Sequence, residues 1–568
     1  MDNLVKIKID GKDFELASNL SILDVSKNLN LDIPYLCDHP DLDVRANCRM
    51  CMVEIKGKLV PACSTKISEG MEIITQSERI HKTRKSNLEL IMANHQQDCF
   101  HCPYFGSCQL KNLMKTYGLN APAFSSRKKN REDFSMGKSV VFKSQKCMEC
   151  RACVSACEKQ GINFLEIDGN GLEIKIIPSL NKNKDCVYCG QCVSHCPVGA
   201  MLPDMSDLEE IEKLLKEKKY ILIAQIAPAI RASLGEEFKI PYGQLTVGHI
   251  STGLKALGFQ YVFDVSTGAD LTTMEEAQEL IERIEHNGKL QLLTSCCPAW
   301  VKYVEFYRPE FINNLTTVRS PQMIMSNVIK SYWAKENKIK SANIKLVSIM
   351  PCTAKKYEAN RPEFKKLVDY VLTTRELALL LKRHQIMPEK LKESSLDALF
   401  SSSGVIYGAS GGVMESALRT AYYLITGKEP QEIAFEKMRG LEGCRQAKYK
   451  IGKYTLNVAA VSGLKNAENL LQKIKADSKL YDYVEIMACP GGCLSGGGQP
   501  VPVNDEIRKK RANVLYQLDK KSEIKYAHDN PFVKEIYKTF LKDEKNRKTV
   551  CHTQYAKKKK EGHIIKKI

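Results

Sequence analysis

The chain has 568 residues, 43% of them hydrophobic, with 85 Lys and Arg against 66 Asp and Glu and a formal net charge of +19. That length exceeds what one hydrophobic core carries and predicts roughly three to five domains. Its 22 cysteines are sparser than the roughly 8–10% of a disulfide scaffold, and their Cys-x-x-Cys spacings point to metal. No apolar run is long enough to span a bilayer, Met1-Asp2-Asn3-Leu4 lacks the basic-then-apolar order of a signal peptide, and no nucleic-acid-reading motif accompanies the charge. The expectation is a protein of the cytoplasm or an organelle matrix, without membrane insertion or nucleic acid. Its charge suits a solvated Lys-rich surface or the steering of an acidic redox partner.

Residues 1–78 open with alternation. Val5, Ile7 and Ile9 share one face, Lys6 and Lys8 the other; Gly11-Lys12 is a turn signal and Phe14 to Leu16 follows, which predicts a hairpin. Ser21 to Asn28 suits a short helix. Cys37, Cys48, Cys51 and Cys63 then supply four thiolates, enough for two irons with two bridging sulfides. Their spacing departs from the plant-type run, and zinc is the alternative, although the first loop is long for a structural zinc finger. The set resembles the β-grasp [2Fe-2S] domain at the front of respiratory complex I and iron hydrogenase chains. Residues 79–125 hold His95, Cys99, Cys102 and Cys108. The imidazole and first thiolate lie one helical turn apart. Zinc takes three cysteines and a histidine as readily as iron does, so these four alone leave the metal open. Their place in the chain resembles that of the His-ligated [4Fe-4S] domain in the same two families. Ala121 to Lys138 is polar and Lys/Arg-rich and is expected to be a linker.

Residues 139–203 carry Cys-x2-Cys-x2-Cys-x3-Cys twice, at Cys147, Cys150, Cys153, Cys157 and at Cys186, Cys189, Cys192, Cys196, with Pro197 after the second run. This is the bacterial two-cluster ferredoxin pattern, in which the fourth cysteine serves the other cluster. The expectation is one [4Fe-4S] cluster on Cys147, Cys150, Cys153 and Cys196 and a second on Cys186, Cys189, Cys192 and Cys157.

Residues 204–545 read as one large α/β domain. Asp207 to Lys218 suits a charged helix and Tyr220 to Ala224 a buried parallel strand; strand signals near 261, 291, 345, 369, 404, 456 and 484 alternate with helix-length segments. Three apolar runs end in cysteine. Leu290 to Leu293 leads into Thr294-Ser295-Cys296-Cys297-Pro298-Ala299-Trp300. Val347 to Met350 leads into Pro351-Cys352-Thr353-Ala354-Lys355-Lys356, and Val484 to Met487 into Ala488-Cys489-Pro490-Gly491-Gly492-Cys493. Ligands gather at the carboxyl ends of strands in open α/β sheets, so these ends predict the cradle of one buried metal centre, with everything before residue 200 as wiring to it. The glycines let backbone approach a bulky group; the phosphate-loop lysine and the dinucleotide-binding spacing are both absent. Residues 546–568, basic through Lys557 to Lys560 and ending at Ile568, read as a solvated tail.

The three cysteine strings, in this order, resemble the signatures of the [FeFe]-hydrogenase active-site domain, and with the four accessory motifs the resemblance spans nearly the whole chain. It implies a multidomain α/β and α+β architecture: a β-grasp [2Fe-2S] domain, a [4Fe-4S] domain ligated by one histidine and three cysteines, a 2[4Fe-4S] ferredoxin-like domain and a two-lobed α/β H-cluster domain. The implied cofactors are one [2Fe-2S] cluster, three accessory [4Fe-4S] clusters and the H-cluster, a [4Fe-4S] cube joined to a two-iron unit bearing CO, cyanide and a dithiolate bridge. The implied reaction is the reversible reduction of protons to H2. By motif, Cys297, Cys352, Cys489 and Cys493 would hold the cube, with Cys493 the bridge, and Cys296 would stay a free thiol exchanging protons with the bridge amine. Lys355 and Gln322 would donate hydrogen bonds to the diatomic ligands, Met350 and Met487 would pack on the two-iron unit, and Pro228 would sit where backbone meets a cyanide.

Glu276, Glu279 and Arg283, at i, i+3 and i+7, read by themselves as a solvated stripe on one helix face. The resemblance makes them a proton relay to Cys296, completed by Thr316 where the family usually has serine. Pro490 stands where some relatives have histidine, which removes a hydrogen-bond donor beside the cube. The implied partners are ferredoxin or flavodoxin, and maturation proteins that supply the two-iron unit. One competing reading is the catalytic subunit of an NAD(P)-linked, electron-bifurcating complex, which Pro490 and Cys551-His552-Thr553-Gln554-Tyr555 resemble in part. Others are a hydrogenase-like iron–sulfur assembly protein, against which the full accessory set and Cys296 weigh, a gas-sensing relative, which would usually carry a signalling domain, and the complex I subunit, which lacks Thr-Ser-Cys-Cys-Pro.

Overall fold

The computed structural model describes residues 4–99, 102, 104, 108–126, 128, 131–170, 173–285, 291–364, 366–430, 435–561 and the backbone of 564–566. Leu290 and Ile568 lie outside the described residues. The first sheet takes β1 (Leu4–Ile9), β2 (Lys12–Ala17), β3 (Met52–Ile55), β4 (Lys58–Pro61) and β5 (Met71–Ile74) in the order β2-β1-β5-β3-β4. The β1–β2 hairpin forms as expected, and β1 pairs in parallel with β5. The helix Ile22–Asn28 starts where a reciprocal cap starts it: Asp24 N donates to Ser21 Oγ at 3.1 Å and the Asp24 carboxylate reaches back to Ser21. Ile7, Ile9, Ile22, Val25, Val53 and Ile73 make the core between helix and sheet, and the four cysteines are buried at its edge.

The segment expected to be a linker to Lys138 is not one throughout. Asp133 to Met136 forms a buried strand, β6, pairing with β7 (Val140–Phe142). Its polar residues are consumed internally: the Asp133 carboxylate accepts from Ser144 N at 2.7 Å and Ser144 Oγ at 3.0 Å. The two ferredoxin runs follow, with the hairpin β8 (Leu165–Asp168) and β9 (Lys175–Pro178) between them and β10 (Met201–Pro203) returning to β7.

Two four-stranded sheets make the two lobes of the large domain. In the first, β11 (Ile221–Ile226), β12 (Tyr261–Asp264), β14 (Ile344–Met350) and β15 (Tyr370–Thr373) run parallel in the order β12-β11-β14-β15. The second has the order β13-β18-β17-β16, from β13 (Leu292–Leu293), β16 (Cys444–Ile451), β17 (Tyr454–Ser462) and β18 (Tyr483–Met487). There β13, β18 and β17 are parallel and β16 is an antiparallel edge that sequence reading missed. β11, β14 and β18 are almost wholly buried, which is why they read as apolar runs rather than alternations. The strand expected near 404 is instead a helix, Ser402–Ile406. Its start is fixed by the buried Asp270 carboxylate, which accepts from Ser401 N at 2.7 Å and from Ser401 Oγ at 2.5 Å, and this lays it on the long helix Val265–Glu285.

The basic tail is not solvated as expected. The helix Glu544–Cys551 buries Val550 and Cys551. Beyond it the chain runs along the large domain to the ferredoxin domain, with Thr553 N donating to Thr317 O at 2.8 Å and Lys558 N to Glu305 O at 2.9 Å. Glu561 accepts from Tyr188 at 2.8 Å and sits 3.2 Å from the buried Lys302 ammonium, which Asp185 also faces at 3.2 Å. A fully buried ammonium needs such counter-charges. A last strand, β19 (Ile564–Lys566), pairs with β6. Composition reported the lysines and missed the backbone pairing. Among the described residues no helix is long and apolar enough to cross a membrane.

Candidate metal centre

The carboxyl ends of β11, β13, β14 and β18 open onto one cavity between the lobes. Cys296, Cys297, Cys352, Cys489 and Cys493 line it, with Pro228, Gln322, Met350, Lys355 and Met487. Every residue that sequence reading placed at the centre is therefore on its wall. Local chemistry sets the turns. Thr294 Oγ1 accepts from Ile486 N at 3.1 Å, Thr294 O accepts from Trp300 Nε1 at 3.0 Å, and Ser295 Oγ donates to Val318 O at 2.7 Å, so the Cys296-Cys297 step is pinned on three sides. Pro298 then begins the helix Pro298–Tyr307 at the position where its missing N–H costs nothing. Gly492 has φ +86°, and a Cβ there would lie 2.6 Å from Ser410 N, so only glycine closes the Cys489–Cys493 turn.

Burial pushes all five thiols up: Cys352 to about 12, and Cys296 and Cys489 well above the usual thiol value, with neighbouring sulfurs adding to the effect. Four thiols this crowded and dry suit a cationic iron–sulfur group that takes them as thiolates. Cys296 stands apart, against Ala269, Tyr407, Val413 and Met487. Lys355 is buried, which pulls its ammonium down, but the Glu358 carboxylate at 2.8 Å more than offsets this and keeps it charged. Its Nζ also donates to Cys296 O at 3.2 Å. Gln322 Nε2 donates to Glu358 at 3.1 Å, while Gln322 Oε1 is buried without a partner. A fixed cation and a held amide in an otherwise apolar wall fit a group with anionic and polar ligands. Sequence reading missed Tyr407 and Gly408, also on the wall. The cluster Gly408, Gly411, Gly412 was the signal, hidden by the strand reading of residue 404.

The accessory cysteines, with His95, form four further groups. Cys37 and Cys48 are paired, with Cys48 N donating to Cys37 Sγ at 3.5 Å, and Cys51 faces Cys63. His95, Cys99, Cys102 and Cys108 line one small cavity; His95 Nδ1 contacts Lys146 O at 2.8 Å, which leaves Nε2 as the nitrogen free to ligate. Asn47 Nδ2 donates to Cys150 O at 3.3 Å, and a Cβ on Gly199 would meet Cys102 Sγ at 3.2 Å, so both outer groups abut the Cys147, Cys150, Cys153 and Cys196 group. The Cys157, Cys186, Cys189 and Cys192 group abuts the central cavity: Cys489 Sγ lies 3.9 Å from Cys189 O. There Gly190 and Gly497 touch backbone to backbone; a Cβ on Gly497 would lie 2.6 Å from Gly190 Cα.

On the far side of Cys296 lies the helix Val265–Glu285. Glu276 is wholly buried, and burial raises its carboxyl to about 8 against a hydrogen bond from Tyr483 OH at 2.7 Å. Its other oxygen, Oε2, has no hydrogen-bond partner. Glu279 pairs with Arg283 at 2.5 Å and accepts from Thr316 Oγ1 at 2.7 Å. The helix thus carries the expected relay residues on one face, from half-buried Arg283 and Glu279 to buried Glu276. Tyr483 was not foreseen, because as part of an apolar strand it reads as core.

Residues 220–497 match the family described as iron only hydrogenase large subunit, C-terminal domain. Residues 2–78 match a 2Fe-2S iron-sulfur cluster binding domain, 84–122 the NADH-ubiquinone oxidoreductase-G iron-sulfur binding region, 146–200 a 4Fe-4S dicluster domain and 505–558 the iron hydrogenase small subunit. The NADP-reducing hydrogenase subunit HndD of Solidesulfovibrio fructosivorans is 37% identical over 98% of this chain and 100% of its own length. Iron hydrogenase 1 of Clostridium pasteurianum is 36% identical over 97% and 100%. Cytosolic iron-sulfur assembly component 3 of Mus musculus is 30% identical over 69% and 87%. A solved [FeFe]-hydrogenase HydA1 of Chlamydomonas reinhardtii superposes with a TM-score of 0.55 at 34% identity, covering 61% of this chain and 98% of that one.

Proposed function

The chain belongs to the iron-only, or [FeFe], hydrogenase family, and from that premise we propose that its central cavity catalyses the reversible reduction of protons to H2. One observation carries the reading: four cysteines from three strand ends converge on one cavity that a fifth, Cys296, also lines. Cys297, Cys352, Cys489 and Cys493 would hold the [4Fe-4S] cube of the H-cluster. When bound, that group supplies the redox chemistry at iron, which no side chain supplies.

The chain's own residues handle protons, charge and exclusion of water. Cys296, held as a neutral thiol by burial, would present its S–H to the cavity. Glu276 would recharge it; a carboxyl near 8 is protonated at neutral pH and still loses its proton readily, which suits a relay running both ways. Its unpartnered Oε2 is the atom free to pass that proton on. Thr316 would pass protons at Glu279. Lys355 and Gln322 would orient the diatomic ligands, and Pro228, Met350 and Met487 would keep the wall dry.

Electrons would enter at Cys37, Cys48, Cys51 and Cys63 ([2Fe-2S]) or at His95, Cys99, Cys102 and Cys108 ([4Fe-4S]). Cys147, Cys150, Cys153 and Cys196 would hold one further [4Fe-4S] cluster and Cys186, Cys189, Cys192 and Cys157 another, which would supply one-electron redox sites between these outer sets and the central cavity. The contacts at Asn47, Gly199 and Cys189 support this placement. Ferredoxin or flavodoxin is the proposed donor, and maturation proteins would insert the two-iron unit. A second reading, a catalytic subunit reduced through NADP-linked partners, is favoured by the name of one of the two relatives reported above that are matched over their full length. The test is H2 evolution by anaerobically matured protein with reduced ferredoxin alone, then with NADPH or NADH and candidate partner subunits. Turnover from ferredoxin alone supports the first reading, and turnover only with nucleotide-linked subunits the second. No H2 in either, with the CO and cyanide infrared bands present, overturns the catalytic assignment.

A further inference from the structure

The relay needs a group at its outer end that collects protons from water, and Arg283 is poorly suited to that. Its guanidinium donates to Glu279 at 2.5 Å and to Gln291 O at 3.3 Å, Asn314 O at 3.2 Å and Leu315 O at 3.1 Å. It is a fixed cation, and guanidinium does not give up a proton near neutrality. A second path leaves Glu279. Thr317 Oγ1 donates to Glu279 Oε2 at 3.1 Å and contacts His552 Nδ1 at 2.9 Å. His552 Nε2 contacts Glu275 Oε2 at 2.8 Å, and Tyr537 OH donates to the other oxygen of Glu275. One assignment of protons satisfies every contact: Nδ1–H to Thr317 Oγ1, the Thr317 hydroxyl to Glu279, and Nε2–H to Glu275.

The backbone holds this arrangement. The segment after the helix Glu544–Cys551 lies antiparallel to residues 317–319, with Arg319 N donating to Cys551 O, Thr553 N to Thr317 O, and Arg319 Nε to His552 O at 2.8 Å. Thr317 is exposed and the His552 side chain is 26% exposed. Imidazole is the side chain whose ordinary titration lies nearest neutrality. The groups that face it are Glu275, Tyr537, Thr317 and, through Thr317, Glu279 with Arg283.

We propose that His552 is the proton-collecting group of the enzyme, exchanging protons with Glu279 through the Thr317 hydroxyl while Glu275 holds the ring. This rests on the hydrogenase reading above. In the inward step the Nδ1 proton moves to Thr317 Oγ1 as the hydroxyl proton moves to Glu279 Oε2. Once the Thr317 hydroxyl has turned back toward Glu279, the bare Nδ1 takes a proton from water or buffer, with Nε2–H still on Glu275. In H2 oxidation the same steps run backwards.

The test is H2 evolution by His552→Ala holoenzyme with reduced methyl viologen in dilute, non-imidazole buffer, with and without added imidazole. Turnover should fall about tenfold, a modest share of general acid–base catalysis, and imidazole should restore most of it. Thr317→Val should show a similar fall with the cluster infrared bands unchanged. His552→Gln, whose amide can occupy both contacts but cannot exchange a proton, guards against a folding defect. Wild-type turnover in His552→Gln, or a loss in His552→Ala that imidazole does not restore while the infrared bands are intact, overturns the assignment. The wild type in the same assay separates the two levels: no H2 from it refutes the function, whereas an active wild type with an unaffected His552 variant refutes only the collecting role.

Discussion

Tyr483→Phe removes one oxygen atom and one hydrogen bond, the 2.7 Å contact to Glu276. That bond favours the ionised carboxylate and so opposes the burial that lifts Glu276 to about 8. A hydrogen bond to a charged group contributes about 1.5–3 kcal/mol, and about 1.4 kcal/mol corresponds to one pH unit. Losing it should carry Glu276 up by roughly one to two pH units. H2 evolution on this reading needs Glu276 protonated, so the alkaline limb of the turnover–pH profile, expected at about 8 in the wild type, should move to about 9–10 in the variant. The assay is H2 evolution with reduced methyl viologen across the alkaline range. Stability gives an independent readout. The folded chain keeps this proton up to about pH 8, whereas an unfolded glutamate loses it near 4.5. The folded form therefore binds the extra proton in that window, and its advantage declines as pH rises through it. In the variant the decline should continue past pH 8, read as a Tm still falling where the wild type has levelled. An alkaline limb that stays in place, or moves to lower pH, would refute the claim that Tyr483 sets this proton's affinity.

Cys296→Ala should abolish turnover, a loss of at least about 100-fold, while iron content stays near wild type; a large loss of iron would make Cys296 a ligand. Lys355→Met leaves the buried Glu358 carboxylate without its ammonium, and breaking a buried pair costs about 3–5 kcal/mol, so thermal denaturation should show a clearly lowered Tm along with weakened retention of the two-iron unit. His95→Ala should lose one [4Fe-4S] cluster by iron analysis and electron paramagnetic resonance, yet keep much of its turnover if electrons also enter through the [2Fe-2S] domain. Gly190→Ala drives a Cβ toward Gly497 and Thr353; transfer to the cube should slow, measured by freeze-quench reduction of each cluster, with the four outer ligand sets still loaded.

The centre was legible because its chemistry is local. Cysteines at fixed spacing, a proline that starts a helix directly after Cys297, and apolar runs long enough for parallel strands are all properties of short strings. The errors arose where long-range contacts decide. Val405 and Ile406 have strand propensity, but the Asp270 carboxylate on another element starts a helix at Ser401. β16, with its exposed and buried residues alternating, takes its place as the edge strand only by pairing with β17. The lysines of the tail advertise solvent, while the backbone between them is bonded to residues more than two hundred positions away. Tyr483, Thr317 and His552 each look like core or surface alone, and acquire meaning only from the helix they face.

The contact between Gly190 and Gly497 also bears on how such a chain changes over generations. Neither position can gain a side chain without displacing the other's backbone, and one hydrophobic core runs on from the ferredoxin segment into the large domain. The ferredoxin segment is therefore not a cassette that recombination can trade for any other two-cluster module. A replacement must arrive with a bare backbone at that point, or the recipient must already have yielded at its own. The outermost domains share that core through residues such as Met50 and Leu110, but their contacts at Arg45 with Glu158, Arg508 with Asp41 and Gly199 with Tyr104 are made by side chains, which can be exchanged one at a time. Loss or exchange of modules is expected to proceed from the outside inwards and to halt at this pair of glycines.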